Sequence, residues 1–501
     1  MDDFRGRSVR AGAATFAAQG ARLLLTVGST MVLARLLAPE EFGRIAMVVA
    51  VIGLLIIVRD LGLPTATVRQ LEISHEEVSA LFWVNALLSV FLAILAAAAA
   101  PLLAWFYREP TLLWITPMLG LVSLVDGLSL QHRALLGRQM RFGALAAIEV
   151  CSLAAGVAAA IVSATLGARC WALVLYRLVT AVVQTAACWA VCDWRPDRRV
   201  RIRGIRPLLA FGGFLSASRL VRYLGRNLDR VVIGRSGSAG SLGIYSKANG
   251  WLLGPFLQAS WVISKTAVPI LSRLQNDPAR YRRYYGQGML LLATPGMPFI
   301  VFLFLDAEPV IRILLGNQWD DAIPILRVLA PASIAALLNM GSYWVYASLG
   351  RAARLLRWDL LTTALSIAGF VAGARWGPIG VAAAYSIVTS LLFVPGIAYC
   401  FGGTFLRAGD LFGATWRPVA ASIAAGAALV GIRQSGLAPA DRFAAIWFDL
   451  PVFGAVYLLA WIALPGGPTI LRSLIGLAKE IRGQSWKGAP ARAGGSPAPS
   501  D

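Results

Sequence analysis

Residues 78–107 read VSALFWVNALLSVFLAILAAAAAPLLAWFY, with no Asp, Glu, Lys or Arg among them. A helix of about 20 apolar residues crosses the hydrocarbon core of a bilayer, whereas a helix in a soluble core keeps one polar face. The stretch therefore reads as a membrane span. Charge-free runs of the same kind recur at Val150–Ala168, Tyr284–Leu305, Val328–Gly350, Trp376–Leu406 and Leu450–Leu471. Runs with one or a few charges fill the gaps, at Ala11–Leu37, Phe42–Val58, Thr111–Leu130, Arg169–Val191, Phe211–Gly234, Ala248–Leu274, Leu355–Arg375 and Phe412–Ile432. The expected fold is an all-α polytopic membrane protein of about 14 spans.

Composition agrees. Of 501 residues, 58% are hydrophobic and 14% charged, where soluble domains carry about 25% charged. Five Cys and two His leave no disulfide framework and no metal cluster to expect. Cys188 and Cys192 share a helical face and read as packing groups, and His75 and His132 read as surface residues. The net charge of +21 could serve nucleic acid, anionic lipid or an anionic substrate. The basic residues lie in short connections and at span ends, which excludes nucleic acid and leaves membrane lipid and substrate as partners. With the amino terminus placed in the cytoplasm, most of them fall on the inner side, above all in Trp194–Arg206 (WRPDRRVRIRGIR). Both termini are then expected inside. Residues 466–501, rich in Gly, Ala, Pro and Ser, read as a largely disordered cytoplasmic tail.

An internal repeat organises the spans. Ala34–Gly43 (ARLLAPEEFG) and Gly234–Gly243 (GRSGSAGSLG) place Arg and a final Gly at the same spacing. Ala134–Arg138 (ALLGR) with Arg141 is matched by Ala347–Arg351 (ASLGR) with Arg354. The pairing implies two parallel six-helix bundles about an axis along the membrane normal, at 1–206 and 207–406. Two further helices follow at 407–465.

Catalytic motifs are missing. There is no phosphate-binding G-x-x-x-x-G-K-[ST], no H-E-x-x-H and no G-x-S-x-G, so the chain is not expected to be an enzyme or to hold a cofactor or metal. The charges within spans are the informative feature. Arg219, Arg222, Arg226 and Arg230 recur at helical spacing on one face, within an arc of about 80° and a rise of about 16 Å. Turned to lipid, four arginines would cost on the order of 10 kcal/mol. A water-filled cavity is the cheaper surrounding, with Arg222 and Arg226 nearest mid-membrane; Arg219 could instead reach the inner interface, and Arg230 could pair with Asp229. Arg22, Lys265 and Arg177 lie in other spans, free to line the cavity or to pair with Asp126, Glu149 or Asp229. Those three acids are also the candidates for ion coupling. Arginine suits a phosphate because its planar fork holds two oxygens and stays charged.

Val32–Met47 (VLARLLAPEEFGRIAM), Asp60–Leu63 (DLGL) and Gln70 resemble the start of bacterial polysaccharide flippases, the Wzx-like branch of the multidrug/oligosaccharidyl-lipid/polysaccharide (MOP) superfamily. Asn227–Gly234 (NLDRVVIG), Leu242–Ala248 (LGIYSKA), Gly316–Trp319 (GNQW) and Ile323–Leu329 (IPILRVL) extend the likeness. The resemblance implies a MATE-like fold around a V-shaped cavity. It implies export of an undecaprenyl-diphosphate-linked oligosaccharide across the bacterial inner membrane by alternating access, with a polysaccharide polymerase and chain-length regulator as further partners. Arg219, Arg222 and Arg226 match the role of diphosphate contacts, with Arg22 and Lys265 as additions; Gly43 and Asp60 match as loop-structure residues. The competing readings are a multidrug exporter, which needs an acidic cavity, and a membrane glycosyltransferase or polymerase, for which Asp306, Glu308, Asp320 and Asp321 are the best acids. A lipid II flippase is a third.

Overall fold

The structure is a computed structural model, and it describes residues 20–60, 67, 73–197, 220, 223–225, 227–436, 439 and 442–468. The described residues form helices and connections, with no strand among them. In chain order the helices are α1 (20–36), α2 (Pro39–Asp60), α3 (His75–Tyr107), α4 (Leu112–Gly127), α5 (Leu130–Arg138), α6 (Phe142–Thr165), α7 (Cys170–Val191) and α8 (227–236). They continue as α9 (Ala239–Arg273), α10 (Pro278–Leu305), α11 (Ala307–Leu314), α12 (Ala322–Ser348), α13 (Ala352–Gly373), α14 (Gly377–Phe401), α15 (Ala408–Gln434) and α16 (Arg442–Ala463).

Each expected span coincides with one of these helices, Ala11–Leu37, Phe211–Gly234 and Leu450–Leu471 only in their described parts. Among the described residues nine stretches are long and apolar enough to cross a membrane. One, Ala352–Phe401, is two helices broken at Ala374–Trp376, where Gly377 takes φ 68°. The expected count of 14 is therefore not reached among the described residues. α2 carries Glu40, Glu41, Arg44 and Arg59, and α9 carries Lys247 and Lys265. These are the helices along which the two halves meet.

Local chemistry sets the helix ends. Ser74 caps α3 in a reciprocal box with Glu77, and the chain leaves α3 through Arg108 in the left-handed region at φ 56°. Asp277 caps α10 ahead of Pro278, a residue suited to a first turn.

The sequence repeat is visible as paired contacts. Arg141 donates from Nη1 to Val191 O at the end of α7, 3.1 Å away. Its counterpart Arg354 and the neighbouring Arg351 donate to Gly402 O at the end of α14. Both cap helix carbonyls that lack partners within the helix. At the other end of the molecule, Arg35 donates to Ile313 O at 2.7 Å, and Arg235 lies over the Phe106 ring. Gln318 and Trp319 donate to Ala34 O, the indole at 2.9 Å, closing the end of α1 with the Gly316–Trp319 turn. Phe42 meets Trp319 edge-on at 5.4 Å.

Between these contacts the first turns of α2 and α9 touch backbone to backbone. A Cβ on Gly43 would lie 1.6 Å from Ala239 O, and a Cβ on Gly243 would lie 2.0 Å from Pro39 O. Residues 39 and 239, and 43 and 243, are equivalent in the repeat, so the pseudo-two-fold axis runs through this contact. Gly43 is therefore a helix-packing residue inside α2, not the loop residue expected; the missing side chain is what lets the helices close. The side chain of Asp60 is outside the described residues.

Either Gly43→Ala or Gly243→Ala should force α2 and α9 apart at this end. The expected outcome is a rise of at least tenfold in aqueous thiol labelling of a cysteine placed at Ala34, which is fully buried in the parent chain.

Candidate functional site

Below the glycine contact, α1, α2, α7, α8 and α9 surround a cavity of about 410 Å³. Its walls are largely apolar, from Leu23 to Trp251, but three cations face it: Arg177 of α7, Arg230 of α8 and Lys247 of α9. No carboxylate belongs to the lining among the described residues. Arg177 is exposed to the space, and it makes no hydrogen bond or ion pair with a described residue. Lys247 Nζ rests 4.1 Å from the centre of the Phe42 ring, a cation–π contact that holds the ammonium without neutralising it. Arg230 donates to the Asn227 side chain at 3.0 Å, and its Nε is buried with no partner.

The framework fixes these side chains from behind. Asp229 is buried; it accepts from the Tyr245 hydroxyl at 2.8 Å and from the Arg230 backbone N–H at 2.8 Å. This ties α8 to α9, with the Arg230 charge near enough to act on the Asp229 carboxylate. The Tyr223 hydroxyl reaches Val49 O at 3.0 Å, lying where a Cβ on Gly53 would collide with it. Tyr223, ahead of α8, is thereby held against α2.

The expected site residues are divided. Arg219, Arg222 and Arg226 lie outside the described residues. Arg22 pairs with Glu149 at 3.2 Å, both half-exposed. Lys265 is exposed and close enough to Glu149 for the two charges to act on each other. Neither Arg22 nor Lys265 belongs to the cavity lining. Asp126 receives Arg59 at 3.0 Å on one oxygen and Arg133 at 3.0 Å on the other; Arg59 also donates to Ser123 O at 2.7 Å. Asp126 thus joins α2, α4 and α5.

Arg177, Arg230 and Lys247 were legible in part. Arg177 is the one charge inside α7, and Lys247 is one of four lysines in the chain and falls within the quoted Leu242–Ala248 stretch. The sequence leaves two alternatives open for Arg177 and Arg230, cavity lining or pairing, and they form no ion pair among the described residues: Glu149 takes Arg22, and Asp126 takes Arg59 and Arg133. Three of the four acids weighed for an enzyme are engaged: Arg312 holds Glu308 at 2.8 Å and Asp320 at 2.8 Å, and Arg433 holds Asp306. His132, expected at the surface, is fully buried and stacked on Trp189 with ring centres 4.6 Å apart. Cys188 and Cys192 are packed with Leu136 and Ile148, as expected of packing groups.

Comparisons with known proteins agree with this architecture. The chain is 28% identical over 345 residues to the teichuronic acid biosynthesis protein TuaB of Bacillus subtilis (strain 168), covering 68% of this chain and 71% of that one. It is 25% identical over 363 residues to the lipopolysaccharide biosynthesis protein WzxC of Escherichia coli (strain K12), covering 71% and 73%. Among solved structures, the lipid II flippase MurJ in an inward closed conformation superposes with a TM-score of 0.68 at 14% identity, over 93% of this chain and all of that one. An inward-facing multidrug resistance MATE family transporter of the MOP superfamily gives 0.58 at 14% identity, over 75% and 93%. The fold is that of the MOP superfamily. Residues 32–324, more than half of the sequence, match the polysaccharide biosynthesis protein family, and the chain belongs to that family.

Proposed function

We propose that the chain is a multi-pass flippase of a bacterial inner membrane, moving a lipid-linked oligosaccharide for surface polysaccharide assembly. The observation that carries this reading is the cavity itself: three cations, no lining carboxylate among the described residues, and an arginine Nε buried without a partner. A diphosphate fits that set. Two guanidinium forks can each grip a pair of phosphate oxygens, and the ammonium adds a point charge. A volume of about 410 Å³ lies within the range of small-molecule sites. It would hold the diphosphate and the first sugar while the polyprenyl chain stays in lipid.

Cytoplasmic termini would put the Gly43–Gly243 contact at the periplasmic end, so the structure would correspond to an inward-facing state. The two six-helix halves, 1–206 and 207–406, would rock about the contact axis to expose the cavity on the other side. Arg219, Arg222 and Arg226 precede Arg230 at helical spacing in the sequence and would extend the cationic path inward. A polysaccharide polymerase with its chain-length regulator would receive the product. The multidrug reading is disfavoured by charge, since an organic cation would meet Arg177, Arg230 and Lys247. The enzyme reading loses Glu308 and Asp320 to Arg312 and Asp306 to Arg433.

Translocation of a fluorescent lipid-linked oligosaccharide in membrane vesicles should fall about 10- to 100-fold in Arg177→Gln and in Arg230→Gln, the loss expected for a charge-assisted hydrogen bond of about 1.5–3 kcal/mol. Arg177→Lys should retain more activity. Unchanged transport in both Gln variants would remove the cavity from the mechanism.

Inorganic pyrophosphate should also raise the melting temperature of the purified chain, because a ligand at 100 times its Kd adds about 2.7 kcal/mol to folded-state stability. The increment should shrink in Arg177→Gln, while that variant's own melting temperature stays near the parent value, since Arg177 has no described partner to abandon.

A further inference from the structure

Away from the cavity, at the end of the molecule that carries the Gly316–Trp319 turn, two enclosed carboxylates share one cation that is itself 32% exposed. Asp306 and Asp449 are both fully buried. A single nitrogen, Nη2 of Arg433, bonds to Asp306 Oδ1 and lies 2.6 Å from Asp449 Oδ2. The carboxyl groups are also within hydrogen-bonding reach of each other. Asp306 Oδ2 and Asp449 Oδ1 are buried with no partner. One guanidinium thus faces two acids, and two oxygens are left over. A second negative charge with no water and no donor is costly in such a place.

We propose that Asp306 and Asp449 share one proton, and that this pair is a protonation site governing the closed end of the transporter. The hydroxyl formed on one carboxyl donates to the free oxygen of the other, which leaves one carboxylate for Arg433. A metal cation in the same place would stand beside the guanidinium and be repelled, so the proton fits better. The link to the closed end is covalent and short. Asp306 begins α11, whose far end accepts from Arg35 through Ile313 O, and the next turn supplies Gln318 and Trp319 to Ala34 O.

The electrostatic surroundings are simple. Among the described residues, Arg433 of α15 and Asp449 of α16 are the charges acting on Asp306. On α11, Glu308 is bonded to Arg312, which also holds Asp320. α10 brings no basic residue in its last turn. The side chains of Asp441 and Arg442 are outside the described residues. Burial pushes the Asp306 carboxyl above its ordinary value, Arg433 pulls it back, and Asp449 adds to the rise. A raised carboxyl keeps its proton at neutral pH and gives it up as pH rises. Deprotonation then sets two carboxylates against each other at the base of α11 and loosens the contacts on α1.

Two readouts on the full chain in lipid test this. Infrared difference spectra should show a protonated-carboxyl band at neutral pH that disappears on alkaline titration and is absent from Asp306→Asn and Asp449→Asn. Aqueous labelling of the Ala34 cysteine, divided by that of a free small-molecule thiol at the same pH to remove the rise in thiolate, should increase at least fivefold over the same pH interval in the parent chain. It should be independent of pH in Asp306→Asn, which mimics the protonated acid and should fold. Arg442→Gln should leave the band in place. Three results would overturn the proposal: no such band in the parent chain, a band that appears only when sodium is withdrawn, or a titrating band with no change in labelling.

Discussion

A guanidinium or ammonium group inside a bilayer must be hydrated or paired, and this chain sorts its cations by that requirement. Arg59, fully enclosed, is given a carboxylate, a carbonyl and a hydroxyl. Arg433 is given two carboxylates. Arg177, Arg230 and Lys247 are instead gathered around one space with no carboxylate in its described lining. An empty site of that kind is tolerable when water fills it, and favourable when an anion replaces the water. The framework and the binding chemistry are built from the same residue type, separated by whether an acid is within reach.

The second constraint is how the two halves touch. The contact at Gly43 and Gly243 has no side chain in it and pairs each half with the equivalent point of the other. Backbone contact of this sort is close, small in area and indifferent to sequence beyond the need for glycine. Next to it Leu37, Met47, Val48, Leu242 and Tyr245 are buried in one apolar cluster, so parting the helices would expose apolar surface as well as backbone. Around it lie the indole and amide of Trp319 and Gln318 on the α1 carbonyls, bonds that water can replace.

Much of the fold was legible in the sequence because hydrocarbon imposes a simple rule on composition. Runs such as 78–107 cannot lie elsewhere, and the repeat between Ala34–Gly43 and Gly234–Gly243 located the symmetry axis. The role of Gly43 was misassigned because its motif precedes a span, and nothing in one chain segment reveals a partner 200 residues away. The candidate site was harder to read. A stripe on one helix, such as Arg219 to Arg230, is a local pattern, while a cavity is assembled from α7, α8 and α9 at once. Lys247 is unremarkable in its own segment and becomes informative only beside Arg177. Burial of His132 had no signal either, since the rings that stack on it come from distant segments.

The arginines that follow α5 and precede α13 bind helix-end carbonyls, and this has a consequence for the rim they form. Arg141 on Val191 and Arg351 on Gly402 engage partners that never titrate. Acid that would unmake an ion pair leaves such bonds standing, and added electrolyte weakens a charge–dipole contact less than a charge–charge one. That rim can serve as a rigid fulcrum across the conditions a bacterial envelope meets, leaving responsiveness to the opposite end of the bundle.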